Sequence, residues 1–156
     1  MKKKDAKIEK RRYLRLSELG TRFNLRFSSH ITVGDKLIGL DGIKKQLLVA
    51  DVEGEPEGAY VIDLNEVDSI SLKKSYSNIM AGELRRKRFE EFLNYIHLRF
   101  RYKEHNKVVV LPFYEREKDP MSKPSKVEIF SKKWQTILSK IIGSKDISIP
   151  IAKAYR

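Results

Sequence analysis

A chain of 156 residues is long enough for one domain with a sizeable hydrophobic core. It has no cysteine, which excludes disulfide staples, thiolate catalysis and zinc–thiolate sites and fits a reducing compartment. Its net charge of +12 points to anionic partners, and no apolar run approaches the length that crosses a bilayer.

The charge is unevenly spread. Residues 1–28 carry +7, residues 29–72 carry −6, residues 73–103 carry +6 and residues 104–156 carry +5. Nucleic-acid and anionic-membrane footprints cluster in this way; the alternative is a basic surface of solvated charges. The stretch from Met1 to Arg12 is basic but lacks the apolar core of a secretory signal. It looks like the cytoplasmic flank of a membrane segment. That would make the domain cytoplasmic, peripheral to the membrane or anchored through a segment not in this chain.

Residues 2–19 hold sparse apolar positions (Ile8, Tyr13, Leu14, Leu16, Leu19) among lysines and arginines, predicting a short helix that stops at Gly20. Phe23, Leu25 and Phe27 then alternate with polar residues as in a strand. Lys36–Leu40 and Ile43–Ala50 flank Asp41-Gly42, which predicts a tight hairpin at that dipeptide. Glu53–Gly58 is a polar, breaker-rich loop, followed by strands at Ala59–Leu64 and Val67–Tyr76 with a turn at Asn65-Glu66.

Phe89, Phe92, Leu93 and Ile96 are spaced for a helix, so Ser77–Asn94 is expected to be an inserted helix. His97–Tyr102 alternates, with Leu98, Phe100 and Tyr102 on one face and Arg99 and Arg101 on the other. A turn at Lys103–Lys107 leads to a strand at Val108–Tyr114, where Pro112 implies an edge or a bulge. Glu115–Ser125, with two X-Pro dipeptides, is a loop.

The last helix is the strongest periodic signal. Phe130, Trp134, Ile137, Leu138, Ile141 and Ile142 form one apolar face, ending at Gly143. Either Ser125 with Glu128 forms a capping box at its start, or Val127–Ile129 is a short strand and Ser131 is the cap. Ile147–Ile151 belongs to a tail laid against the folded body. The expected fold is α+β and mainly antiparallel: six or seven strands in a curled sheet or partly open barrel, closed by the C-terminal helix. The expected organisation is a basic helix or flexible segment over 1–20, a folded domain over 21–143 and a tail over 144–156.

Catalytic chemistry is hard to assemble from these residues. His30, His97 and His105 lack helical spacing to one another, whereas a metal site needs at least three convergent ligands. No G-x-S-x-G, P-loop or G-x-G-x-x-G occurs, and the acidic run Asp51–Glu57 reads as a solvated loop. The chain is therefore read as non-enzymatic, with no cofactor and no metal. What remains is basic: Lys73, Lys74, Arg85, Arg86, Arg88, Arg99 and Arg101 are the candidate anion-binding residues. Strand alternation puts Phe100 and Tyr102 opposite Arg99 and Arg101, which argues against a base-stacking platform.

A bent antiparallel sheet capped by a Trp-bearing C-terminal helix resembles the pleckstrin-homology-like barrel. The resemblance rests on the hairpin around Asp41-Gly42, the strand–turn–strand Tyr60–Ile70, and Trp134 with Ile137, Leu138 and Ile141, over residues 30–143. It implies that these helix residues are structural core and that Trp134 plugs the barrel. The family's basic headgroup loop lies between its first two strands; here that turn is Asp41-Gly42 followed only by Lys44 and Lys45, a departure from the pattern. The chain is also similar in texture to bacterial proteins whose soluble domain follows a membrane anchor. The resulting expectation is a binding domain whose partner is an anionic membrane surface or an acidic protein. The alternative is a nucleic-acid-binding module using the same basic surface.

Overall fold

The computed structural model describes residues 2–52, 58–117 and 123–143. Most of the Glu53–Gly58 loop, part of the Glu115–Ser125 loop and the 144–156 tail lie outside the described residues. The chain divides into two compact units, Met1–Asn65 and Glu66–Arg156. Among the described residues the architecture is α+β, with two antiparallel sheets of four and three strands and two α-helices.

The first unit opens with helix α1, Lys2–Phe23. It does not stop at Gly20. Asn24 takes a positive φ of 57°, the Leu25 N–H reaches Gly20 O at 2.7 Å, and the Asn24 N–H reaches Thr21 O at 3.2 Å. This left-handed pair of bonds is a Schellman end, with Asn in the role expected of Gly. Leu25–Phe27 is consequently irregular backbone and not the expected strand. Gly20 and Gly39 serve packing instead: a Cβ on Gly39 would sit 2.7 Å from the Phe27 ring.

Four strands follow as a meander: β1 Ser29–Val33, β2 Lys36–Asp41, β3 Gln46–Asp51 and β4 Tyr60–Asp63. The tight hairpin lies at Gly34-Asp35, because Val33 pairs with Lys36 and Gly34 has φ 58°. A two-residue loop with a positive φ at its first residue suits glycine there. The Asp41-Gly42 turn is wider than expected, since Asp41 pairs with Gln46 across residues 42–45. Lys45, at φ 57°, supplies the left-handed residue of that loop. Leu37, Leu48 and Ala50 pack with Leu16, Leu19 and Leu25 under α1. Ile38, Leu40, Leu47, Val49 and Ile62, on the other face, are buried as well.

The Asp41 carboxylate organises the wide loop. It accepts the N–H groups of Ile43 (3.1 Å), Lys44 (2.9 Å) and Arg26 (2.9 Å) while only 3% exposed. Burial alone would push its carboxyl up, but those three N–H donors and the Lys44 charge outweigh it and hold the group below the ordinary carboxylate range.

The second unit holds β5 Val67–Tyr76, β6 Leu93–Tyr102 and β7 Val108–Glu115, in that order across the sheet. The inserted α-helix is absent. Residues 77–92 carry two short 3-10 turns, Glu83–Arg85 and Phe89–Phe92. The misleading spacing has a physical origin. Ser75 pairs with Tyr95 and Tyr76 with Leu93, so Asn94 is an extra residue in β6. That bulge puts Leu93 and Ile96, three apart, on the same buried side, which imitates a helical period. Pro112 sits as anticipated in an outer strand of the sheet, beside a bulge where Tyr114 pairs with Ile96 and Pro112 with His97.

Helix α2, Pro124–Gly143, begins earlier than either expected cap, with Pro124 as its first residue. Ser125 is therefore inside the first turn, and Ser131 is a buried mid-helix residue whose hydroxyl donates to Val127 O at 2.6 Å. The apolar side of α2 lies on the three-stranded sheet. Trp134 and Leu138 are buried there, whereas Ile137 and Ile141 are half-buried. Phe130 links the Trp134 ring to that of Phe113, at centroid separations of 6.5 and 6.4 Å. Gln135 donates to Ile70 O, tying α2 to β5.

Candidate anion-binding face

Strand alternation gives the β5–β6–β7 sheet two unlike faces. On one, Ile70, Leu98, Phe100 and Leu111 are buried. On the other, Lys73 faces His97 across β5 and β6, Ser71 faces Arg99, and Arg99 and Arg101 face Val110 and Val108 on β7. None of the side chains on this second face is buried, and Val108 and Val110 are 39% and 42% exposed. It is a basic strip edged by apolar residues.

The seven candidate residues divide by this geometry. Lys73, Arg99 and Arg101 share the open face. Lys74 is on the other side, where its ammonium meets Glu128 of α2 at 2.7 Å, so it joins strand to helix. The hydrogen bond from Lys74 holds the Glu128 carboxyl below its ordinary range despite partial burial, with Lys132 contributing at 3.4 Å. Arg101 is met by Asp68 at 2.7 Å in a largely solvated pair, which is worth little. Neither Lys73 nor Arg99 is paired with a carboxylate among the described residues. Arg85, Arg86 and Arg88 are exposed on the 77–92 connection.

His97 belongs with Lys73 and Arg99, although it is not among the seven candidates. The sequence does carry the signal: His97 alternates in phase with Arg99 and Arg101. Its ring stacks on Tyr95 at 4.1 Å and 20°. Its Nε2 is shielded from solvent and has no hydrogen-bond partner among the described residues. Burial pushes its pKa down, and the charges of Lys73 and Arg99 push the same way against the opposing Glu115. His30 lies in β1, with its ring edge against Tyr13 at 6.2 Å. His105 is in the expected turn, at φ 64°.

Phe100 is fully buried and Tyr102 half-buried, on the face opposite Arg99. Among the described residues, no three His, Asp or Glu side chains gather as a metal site requires. No described helix is long and apolar enough to cross a membrane. No family model matches the sequence, and neither the curated proteins nor the solved structures compared with it yield a match.

Proposed function

We propose that this chain is a non-enzymatic binding domain of pleckstrin-homology-like architecture that docks on an anionic membrane surface through the open face of the β5–β6–β7 sheet. The observation that carries this reading is the joint presentation of Lys73, Arg99 and Arg101 beside exposed Val108 and Val110. Basic groups near an anionic bilayer contribute roughly 1 kcal/mol each, and short apolar side chains add contact at the interface. Exposed basic residues on the 77–92 connection and on α1 (Lys7, Lys10, Arg11) would add long-range attraction, screened beyond about 10 Å at 0.1 M salt. The barrel reading is supported by the order of elements: a four-strand meander, a three-strand meander and a C-terminal helix with a buried Trp. Co-sedimentation with phosphatidylcholine vesicles containing phosphatidylserine tests it. Binding at low salt that weakens as salt rises is expected; no binding at low salt would refute the reading.

A nucleic-acid reading shares the charges and has one observation in its favour, the Tyr95–His97 stack on the basic face. It is the weaker of the two, because the aromatics next to Arg99 and Arg101 in sequence are turned away. A salt titration on a short single strand would support it only if binding falls with a steep log–log slope.

A further inference from the structure

We propose that Lys73, His97 and Arg99 form one site for a phosphate monoester, and that His97 takes up a proton when the phosphate binds. The inference rests on the membrane-docking reading for the face it uses, and it names the headgroup chemistry that the face selects. Lys73 and His97 are direct register partners across β5 and β6, and Arg99 is two residues further along β6 on the same side. Direct partners have Cβ atoms about 5 Å apart, and alternate residues of a strand are about 7 Å apart. An ammonium, an imidazole and a guanidinium thus leave one sheet face within the span that a single phosphate group can bridge.

Two further features single out this trio. The cations on either side in sequence already have carboxylate partners, Lys74 with Glu128 and Arg101 with Asp68, whereas Lys73 and Arg99 have none among the described residues. The His97 Nε2 is a shielded nitrogen without a hydrogen-bond partner among those residues, held in place by the stack on Tyr95. A buried polar atom left unpaired is costly unless a ligand completes it.

The charged groups around His97 determine the coupling. Lys73 faces it from β5, Tyr95 and Arg99 flank it on β6, and Glu115 approaches from β7. In the free protein burial and the two cations favour the neutral imidazole, and Glu115 only partly offsets them. A phosphate dianion between Lys73 and Arg99 reverses the local field at the ring and accepts a hydrogen bond from the imidazolium. The imidazolium becomes the favoured form, and one proton passes from solvent to His97. Affinity then rises as pH falls, by up to about tenfold per pH unit if a full proton is taken up.

The test uses the full chain and two vesicle types, phosphatidylcholine with phosphatidic acid, a monoester, and phosphatidylcholine with phosphatidylserine, a diester headgroup. Binding is measured at pH 7.5 and 6.5, with and without inorganic phosphate. Phosphatidic acid loses charge as pH falls, since a monoester's second pKa is about 6, so simple attraction predicts weaker binding at pH 6.5. Tightening of several-fold on phosphatidic acid, with little change on phosphatidylserine, is the expected result. Calorimetry in two buffers of different ionisation heat should register close to one proton taken up. His97→Asn should abolish the pH dependence and spare phosphatidylserine binding; Lys73→Gln, at an exposed position that does not threaten folding, should remove the preference for phosphatidic acid. Competition by inorganic phosphate would identify the phosphate group as sufficient, and its absence alongside monoester preference would place recognition on the lipid headgroup. Equal binding to both vesicles with no pH dependence overturns the inference but leaves membrane docking standing. Binding to neither overturns both.

Discussion

In the four-stranded sheet the two central strands are buried on both faces, with α1 over one of them; in the three-stranded sheet α2 lies on one face and the other is open. Both are meanders of apolar strands next to a helix, so the difference lies in what alternates along each strand. In β2 and β3 five and four consecutive residues are buried, and all of them except Asp41 are apolar or glycine. In β5 and β6 apolar residues alternate with Ser, Lys, His and Arg. Strands buried on both faces have backbone and core to offer and little else. The open sheet presents side chains to solvent, and Lys73, Arg99 and Arg101 are among them.

The comparison can be broken most sharply at Trp134. Trp134→Ala should cost roughly 3–5 kcal/mol by denaturant unfolding, since it removes a large buried ring from the helix–sheet contact. Lys73→Gln, on the opposite face of that same sheet, should stay within about 0.5 kcal/mol of the parent. Equal effects would mean that the two faces do not differ as described. In the first sheet, Gly39→Ala should cost about 1–3 kcal/mol, because the new methyl would sit 2.7 Å from the Phe27 ring and 3.0 Å from Leu16.

Asp41→Ala should cost about 1–3 kcal/mol by stranding backbone donors in the wide loop. The pH response has a definite sign. The folded carboxyl is held below its ordinary range, so its contribution is present above about pH 4 and is lost as pH falls through the folded value. The smallest effect is at His97. Its folded pKa is depressed, so the unfolded chain binds a proton first when pH drops below about 6.5. Stability should therefore decline from there down to the folded pKa, and His97→Asn should flatten that segment of the melting-midpoint curve.

Much of this organisation is legible in the amino-acid order. The limits of β5, the alternation of Leu98 and Phe100 against Arg99 and Arg101, and the burial of Trp134 all follow from local period. The departures share a cause, which is one residue changing the period or the handedness of the backbone. The Asn94 bulge lends β6 a helical spacing, and Asn24 in a left-handed conformation ends α1 three residues beyond Gly20. Asp41-Gly42 has the composition of a tight turn, but the Asp41 side chain is used to bind N–H groups of a longer loop and of Arg26. The division of the basic residues is illegible for a different reason. Which cation meets Glu128 and which meets Asp68 depends on contacts made across 54 and 33 residues.

The most direct test of the account compares two double variants for vesicle binding at low salt. Lys73→Gln with Arg99→Gln alters the open face, and Lys133→Gln with Lys140→Gln removes the same charge from exposed positions on α2. At roughly 1 kcal/mol per basic residue, the first pair should weaken binding to phosphatidylserine-containing vesicles by about 30-fold, and the second by less than about threefold. Equal losses in the two variants would contradict a docking face and leave only net charge.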